Sequence, residues 1–254
     1  MDVLRFRWNG SELVDISGAP EIPLYVADSY LLSNGNVVAY QKHLDRFTAS
    51  AVSQGLVRPI EDFLAAVTAT LPREGQFFPR VDLTERGELE LRLRPTPDLH
   101  ETITLATAAS DPRIEPRIKG PDIPALNELR SVAQSQGADD AVLVDAHGRI
   151  VDGSTTCLMW FADGAFHLPP EEAVRVESVT VAVMTEIAHS QGIPVLKTWA
   201  TPSQLSGTQL YALNALHGIR AVTSWVDGPD LSVDLDALTQ WRSHYEDFAE
   251  RLPR

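Results

Sequence analysis

Two residue types that can carry covalent and electrostatic chemistry stand at the two ends of one stretch of this sequence. Lys119 lies between an isoleucine and a glycine, and Asp152 is followed by the run Gly-Ser-Thr-Thr. A lysine amine can form a Schiff base with a carbonyl group, and a carboxylate can keep a ring nitrogen protonated. Taken singly, a loop lysine is more often solvated, and such an aspartate is more often a turn former or a cap. Together they form a candidate site.

Lysine is scarce in this chain, which shortens the list of amine nucleophiles. Only three of the 21 basic residues are lysines: Lys42, Lys119 and Lys197. A coding bias towards arginine would account for the scarcity without a functional reason. Apolar neighbours favour the uncharged form of a lysine, and Ile118 precedes Lys119. A lysine and a carboxylate are the two protein groups that the chemistry of pyridoxal phosphate (PLP) needs most, so we interpret Lys119 with Asp152 as a PLP site.

The composition is that of a globular protein with an acidic surface. The chain has 254 residues, of which 44% are hydrophobic and 22% charged, and its formal net charge is -14. This length allows one large domain or two modest ones. Nucleic acids and anionic membranes select basic surfaces, so we expect neither as a partner. The single cysteine, Cys157, cannot form an internal disulfide or by itself a metal site, and without a signal-like or membrane-spanning apolar run we expect a cytoplasmic location.

Short strands and hairpins dominate the first hundred residues. We predict hairpins over 4–14, around Asn34-Gly35, and between strands 77–83 and 88–93, with a further strand over 102–106. Helices are predicted over 43–54 and 60–70, the second beginning after Pro59. This mostly local, antiparallel pairing predicts a small α+β domain over residues 1–111.

A proline-rich segment separates this region from the rest of the chain. It contains Pro112, Pro116, Pro121 and Pro124, and it carries Lys119. Such a composition is typical of a domain boundary, so we predict a linker over 112–124 and a larger C-terminal domain over 125–254. In that domain we predict helices over 125–136, 178–190 and 235–251, and strands over 141–145, 150–152, 155–161, 194–198, 209–213 and 221–226.

Three other places offer groups that bind phosphate. A helix that opens Ser178-Val179-Thr180 presents free N–H groups and the positive end of its dipole. Arg46, one helical turn after His43, could bind phosphate oxygens with both arms of its guanidinium. Asn214 follows an apolar strand. Each of these features also has an ordinary structural explanation, namely a helix end, a surface ion pair and a loop cap. The functional interpretation therefore depends on the order in which the groups occur along the chain.

That order resembles the class IV aminotransferases, the fold type IV PLP enzymes. The family includes branched-chain and D-amino acid aminotransferases and 4-amino-4-deoxychorismate lyase. The resemblance covers most of the chain and is clearest over 40–47, 119–170 and 178–227. It implies a two-domain, D-amino acid aminotransferase-like architecture of α+β and α/β type, which acts as a homodimer with the active site between the domains and completed by a loop of the partner.

The resemblance also implies a role for individual residues. Lys119 would be the catalytic residue, which forms the internal aldimine and moves a proton between Cα and C4′, and Asp152 would pair with the pyridine nitrogen. Arg46 would bind the phosphate and Val176 would pack on the ring. The implied cofactor-binding residues are Arg46, Lys119, Asp152, Val176, Ser178, Val179, Thr180, Asn214 and Ala215, with no metal ligand among them.

The chain departs from the family pattern at several positions, two of them in this set. Asp152 stands where the family usually has a glutamate, Cys157 where it has an asparagine, and Ser178 where it has a glycine. We therefore expect a PLP-dependent aminotransferase that moves an amino group between an amino acid and a 2-oxo acid. A lyase acting on 4-amino-4-deoxychorismate, which shares the early chemical steps, and a degenerate homologue without turnover remain the alternatives.

Overall fold

Two compact units make up the chain in the computed structural model, which describes residues 3–56 and 60–253. The first unit takes its residues from Met1–Leu99, Ile118–Pro121 and Phe248–Arg254, and the second from His100–Arg117 and Asp122–Asp247. The contacts therefore place residues 118–121 with the first unit and the flanking parts of the 112–124 segment with the second. Residues 100–111, predicted with the N-terminal domain, cluster with the second unit. Within the described ranges, no helix has the length and apolarity to cross a membrane.

The first unit is built on an antiparallel sheet with two helices. Its elements up to residue 93 are β1 (Leu4–Trp8), β2 (Leu13–Asp15), β3 (Leu24–Ser29), β4 (Leu32–Ser33), β5 (Asn36–Val38), α1 (Tyr40–Ser53), α2 (Glu61–Thr70), β6 (Gln76–Phe77), β7 (Arg80–Thr84) and β8 (Leu89–Leu93). The main sheet has the order β2-β1-β8-β7-β3, and α1 packs against β3. The ring of Phe63 in α2 lies 6.4 Å from Trp8 in β1 and 6.4 Å from Phe47 in α1. These aromatic contacts join the helices to the sheet.

The predicted hairpins of the first unit are confirmed, with changes at their ends. β1 pairs with β2, β4 with β5 across Asn34-Gly35, and β7 with β8, all antiparallel. The strand predicted over 77–83 is interrupted at Pro79, since proline has no N–H for a strand ladder. Phe77 belongs instead to β6, which pairs with β4. Pro59, the predicted start of the second helix, lies outside the described residues.

The second unit contains a mixed eight-stranded sheet. Its elements are β9 (Thr102–Thr107), α3 (Ile123–Ser135), β10 (Asp140–Val144), β11 (Ile150–Gly153), β12 (Cys157–Ala162), β13 (Ala165–Leu168), α4 (Val179–Ser190), β14 (Val195–Lys197), a short 3-10 helix (Pro202–Leu205), β15 (Gln209–Asn214), β16 (Gly218–Val226) and α5 (Leu235–Glu246). The strand order is β11-β10-β9-β16-β15-β12-β13-β14. The Ile150 N–H of β11, at one edge, donates to the Ala200 carbonyl just after β14, at the other, so the sheet curls.

One face of this sheet encloses an apolar core, and the helices pack elsewhere on the sheet. The core residues are Ile103, Leu105, Val142, Ile150, Leu158, Trp160, Ala200, Leu205, Leu210, Ala212, Val222 and Trp225. Helix α3 packs against β9 and β10, α4 against β15, and α5 against β16. The polar groups of the candidate site lie where β11, α4 and β15 begin or end.

The C-terminal segment corrects the prediction for the last helix. Predicted over 235–251, this helix ends at Glu246, and Ala249–Arg251 forms β17, which pairs antiparallel with β5. The same segment explains why α1 begins at Tyr40 rather than at the predicted residue 43. The Gln41 N–H in the first turn of α1 donates to Glu250 Oε2 at 3.2 Å. An acceptor more than 200 residues away therefore stabilises this helix start.

Candidate active site

Lys119 is held against β3 by a close approach of two backbone segments. The Ala27 N–H donates to the Lys119 carbonyl at 2.6 Å. The next residue, Gly120, has φ +147°, and a β-carbon there would lie 2.9 Å from the Val26 Cα. Only glycine suits both this conformation and this separation. The glycine in the predicted Lys119 motif therefore has a structural reason, since it lets the lysine backbone lie directly on the strand.

A buried carboxylate on the same strand joins Arg46 to His43. Asp28 Oδ1 lies 2.8 Å from His43 Nδ1, and Asp28 Oδ2 accepts from Arg46 Nε at 2.7 Å. Burial raises the pKa of Asp28, but the Arg46 and His43 interactions outweigh it and hold that pKa well below its usual range. Burial lowers the pKa of His43, and the charges of Arg46 and Lys119 lower it further, against the effect of Asp28. The first unit thus brings Lys119 and Arg46 into one electrostatic neighbourhood.

Asp152, at the end of β11, is a buried carboxylate with one oxygen that no group of the described chain binds. The residue is 7% exposed, and within residues 3–56 and 60–253 its Oδ1 has no hydrogen-bond partner. Its Oδ2 lies 3.6 Å from Arg113 Nη1. Burial raises the pKa of Asp152 to about 6, while Arg113, the Cys157 thiol and Arg175 lower it. An oxygen in this state is suited to accept a hydrogen bond from a cationic N–H of a ligand.

Arg113 is clamped in place by a second carboxylate. Asp111 accepts from Arg113 Nε at 2.9 Å and from Nη2 at 2.7 Å. The Arg113 side chain is 5% exposed and lies in the wall of a cavity of about 570 Å³ that Arg149 and Trp199 also line. The guanidinium therefore reaches Asp152 with its remaining nitrogen.

The Gly-Ser-Thr-Thr run after Asp152 wraps around a carboxylate of its own chain. Buried Asp140 accepts from the hydroxyls of Ser154, Thr155 and Thr156, the last two at 3.0 and 2.8 Å, and from the Thr155 amide at 3.2 Å. A β-carbon at Gly153 would collide with Thr156. The three hydroxyls therefore fix the loop that follows Asp152.

The start of α4 contains the next predicted group. Ser178 is its N-cap, and the Ser178 hydroxyl accepts from the Val181 N–H at 3.3 Å. Val179 and Thr180 open the helix, where the first N–H groups have no intrahelical acceptor. Thr180 is buried with its hydroxyl 3.5 Å from that of Tyr245, and Val176 is half-buried before the helix. Serine is a preferred N-cap, which gives a physical reason for Ser178 in place of glycine.

Asn214 ends β15 and shapes the turn that contains Ala215. Its Oδ1 accepts from the amides of Leu216 and His217 at 3.1 and 2.8 Å. Its Nδ2 donates to the Thr155 carbonyl at 3.2 Å. This bond ties the turn to the loop after Asp152, so the second unit gathers Asp152, Asn214 and Ala215 at one end of its sheet. Lys119 and Arg46 lie in the first unit.

Sequence reasoning missed the residues that hold these groups. Asp28, Arg113 and Asp140 each bind a predicted residue or its loop. A signal existed for Asp28, which lies within the otherwise mostly apolar strand β3, where an aspartate needs a partner. Asp140 opens β10 directly after Asp139 and gave no such signal. Arg113 lies in an irregular segment, and its pairing with Asp152 had no local signal.

Comparisons with known proteins agree with this architecture. A family model described as amino-transferase class IV matches residues 25–225. A curated relative from Methanocaldococcus jannaschii, assigned by name to the branched-chain-amino-acid aminotransferases, is 27% identical over 188 residues, which are 65% of this chain. The chain spans 65% of the length of that relative.

Solved structures show the same fold. A branched-chain aminotransferase from Thermoproteus uzoniensis, with norvaline, has a TM-score of 0.81 at 20% identity, covering 98% of this chain and 100% of that one. A PLP-bound hypothetical aminotransferase from Mycobacterium tuberculosis has a TM-score of 0.77 at 15% identity, covering 97% and 98%. The predicted fold type IV architecture is therefore confirmed. Since the family model spans most of its length, the chain belongs to the class IV aminotransferase family.

Proposed function

We propose that this protein is a PLP-dependent aminotransferase that moves an amino group between an amino acid and a 2-oxo acid. The observation that carries the proposal is Asp152. It is a buried carboxylate whose Oδ1 has no hydrogen-bond partner in the described chain. A buried acceptor left without a donor costs free energy unless a ligand supplies one. A protonated pyridine nitrogen is such a donor.

The other predicted residues would each serve the same cofactor. Lys119 is the amine that would hold it covalently, and the start of α4 at Val179 and Thr180 would bind its phosphate through backbone N–H groups. Arg46, oriented through its Nε by Asp28, would add a guanidinium to the phosphate site. Asn214 and Ala215 would close the phosphate side. Val176 would pack on the ring, and Ser178 would fix the helix start through its cap.

When bound, PLP supplies an electron sink that stabilises negative charge on the substrate Cα. The residues of this chain would hold the ring nitrogen protonated and move the proton. Asp152 would hold the proton on the pyridine nitrogen, which requires the carboxylate to be ionised. Lys119 Nζ would carry the proton between the substrate Cα and the cofactor C4′. Support for transamination also comes from the relatives, which are named as aminotransferases, so branched-chain amino acids and norvaline are the first donors to test.

The decisive experiment is the visible absorption spectrum of the purified protein with added PLP, before and after borohydride. The short list of lysines provides matched controls. We expect a cofactor band that borohydride abolishes in the wild type, in Lys42→Ala and in Lys197→Ala, but no such band in Lys119→Ala. Mass spectrometry should place the reduced cofactor on Lys119. A band that Lys119→Ala retains would remove the lysine from its role, and a wild type without a band would refute PLP binding.

Product analysis then decides the reaction. Transamination leaves pyridoxamine phosphate after a half-reaction with an amino acid donor, whereas a lyase acting on 4-amino-4-deoxychorismate releases pyruvate and leaves PLP. Loss of PLP absorbance with a donor and its recovery with a 2-oxo acid would support an aminotransferase.

We also propose that the protein is a homodimer. Sedimentation at micromolar concentration that shows only monomer would count against it.

A further inference from the structure

The buried Asp152 carboxylate has beside it a cation, Arg113, that its own motif does not contain. This inference rests on the proposed function, in which the carboxylate serves a bound pyridine ring only when it is ionised. Burial alone favours the neutral acid, since a desolvated carboxylate loses the water that stabilises its charge. A nearby group must therefore stabilise the ionised form of Asp152 against the effect of burial.

The groups around Asp152 come from four places in the second unit. Gly153 follows it on β11, and its amide favours the ionised form. Cys157 begins β12, and its buried thiol has a raised pKa, so it remains a neutral donor. Arg175 precedes α4, and its guanidinium donates to the carbonyls of Pro169, Pro170 and Ala173. Arg113 comes from the irregular segment before Lys119, with Nη1 3.6 Å from Asp152 Oδ2.

The geometry distinguishes Arg113 from Arg175. The Arg113 side chain is 5% exposed and that of Asp152 is 10% exposed, so water screens their attraction weakly. Asp111 binds two other nitrogens of the guanidinium and fixes its plane. At 3.6 Å the contact is mainly electrostatic, and it leaves Asp152 Oδ1 available for a ligand. Arg175 is occupied by three backbone carbonyls.

We propose that Arg113 is a positioning residue that keeps the buried Asp152 carboxylate ionised and thereby sets the protonation of a pyridine nitrogen bound to it. Arg113 touches neither substrate nor cofactor in this role. It acts through Asp152, because its positive charge opposes the effect of burial and keeps the carboxylate ionised.

The first test uses the full chain without cofactor and needs no catalytic activity. Protein labelled with ¹³C at aspartate carboxyl carbons is titrated by NMR, and the Asp152 resonance is identified by its absence in Asp152→Asn. An opposite charge at this range lowers a carboxyl pKa by about 1–3 units. Because Asp111 offsets part of the charge, we expect Arg113→Met to raise the titration midpoint of Asp152 by about one unit.

Two controls make this result specific. Arg149 lies in the same cavity wall but pairs with Asp145 rather than with Asp152. Arg149→Met should therefore leave the titration midpoint of Asp152 unchanged. Arg113→Lys keeps the positive charge and should keep the Asp152 midpoint close to that of the wild type. If Arg113→Met does not fold, Arg113→Gln provides the same neutral comparison. An Asp152 midpoint that is the same in the neutral variants and the wild type would overturn the proposal.

The second test uses PLP-loaded protein and separates the two proposals. The pH at which the cofactor band changes should move upward in Arg113→Met and stay in place in Arg149→Met. A wild type that takes up no PLP would refute the proposed function, while the shifted NMR titration would still establish the Arg113–Asp152 coupling. A PLP spectrum unaffected by Arg113→Met over the whole pH range would refute the role of Arg113 toward the cofactor.

Discussion

Replacing Asp152 by asparagine should make the cofactor-free protein more stable at alkaline pH. The carboxylate is buried at the end of β11, and its Oδ1 has no hydrogen-bond partner in the described chain. Arg113 and the Cys157 thiol compensate only part of the lost hydration, because the pKa remains raised. An ionised Asp152 therefore destabilises the folded protein until a ligand binds it.

The size of the effect follows from the pKa. Burial raises the pKa of Asp152 from 3.8 to about 6. One unit corresponds to about 1.4 kcal/mol, so ionisation costs the folded state about 3 kcal/mol. Because the folded state binds the proton more tightly than the unfolded state, this cost is fully present above pH 6. It declines as the pH falls through the folded pKa and vanishes below the unfolded value.

Urea unfolding of the cofactor-free protein measures this directly. We expect Asp152→Asn to raise the free energy of unfolding by about 3 kcal/mol at pH 8 and by about half as much at pH 5. Asp145→Asn is the matched control, since Asp145 is bound by Arg149 and by two backbone amides. That substitution should not stabilise the protein at either pH.

Two outcomes would refute the reasoning. Asp152→Asn could be no more stable than the wild type at pH 8, which would mean that the carboxylate is solvated or fully paired. Alternatively, its gain could be independent of pH, which would assign the gain to packing rather than to charge. If the expected gain is found, and PLP chemistry is lost in the same variant, Asp152 is a place where stability is given up for function.

Two further substitutions test how the site is held. Gly120→Ala would place a β-carbon 2.9 Å from the β3 backbone at φ +147°. We expect the free energy of unfolding, measured in urea, to fall by about 1–3 kcal/mol. Less PLP should also be fixed on Lys119 by borohydride. Gly148→Ala is the control, since Gly148 has φ +72° with open space around it. It should lower the free energy of unfolding by only about 1 kcal/mol and leave PLP uptake unchanged. Equal effects at the two glycines would contradict a close approach of Gly120 to the β3 backbone. Asp140→Asn removes the charge that binds three hydroxyls of the loop after Asp152, so the free energy of unfolding should fall by about 2 kcal/mol. A change below about 0.5 kcal/mol in a urea titration would show that the hydroxyl network does not hold this loop.

Most helices and strands could be predicted from the sequence because their signals are local. The Asn34-Gly35 turn and the alternation around it place β4 and β5, and Ser178 marks the start of α4 to within one residue. Two errors occurred where a distant segment supplies a hydrogen bond. Helix α1 begins three residues earlier than predicted beside Glu250, and the end of the last predicted helix is a strand paired with β5.

The candidate site could be predicted only in part, and the roles of its residues remain proposals. Residue type and order along the chain were enough to select Lys119, Arg46 and Asp152. They were not enough to find Asp28 or Arg113, since Asp28 lies 18 residues from Arg46 and Arg113 precedes Asp152 across a helix and a strand.

The sequence by itself determined the family and most of the secondary-structure elements, and it selected Lys119 as the candidate amine. Only the tertiary structure decided that Asp152 is buried, that its Oδ1 has no hydrogen-bond partner among the described residues, and that Arg113 lies 3.6 Å from its Oδ2. The physical reason is that the pKa of a carboxylate depends on its desolvation and on nearby charges, and both are set by packing between segments that are far apart in the chain.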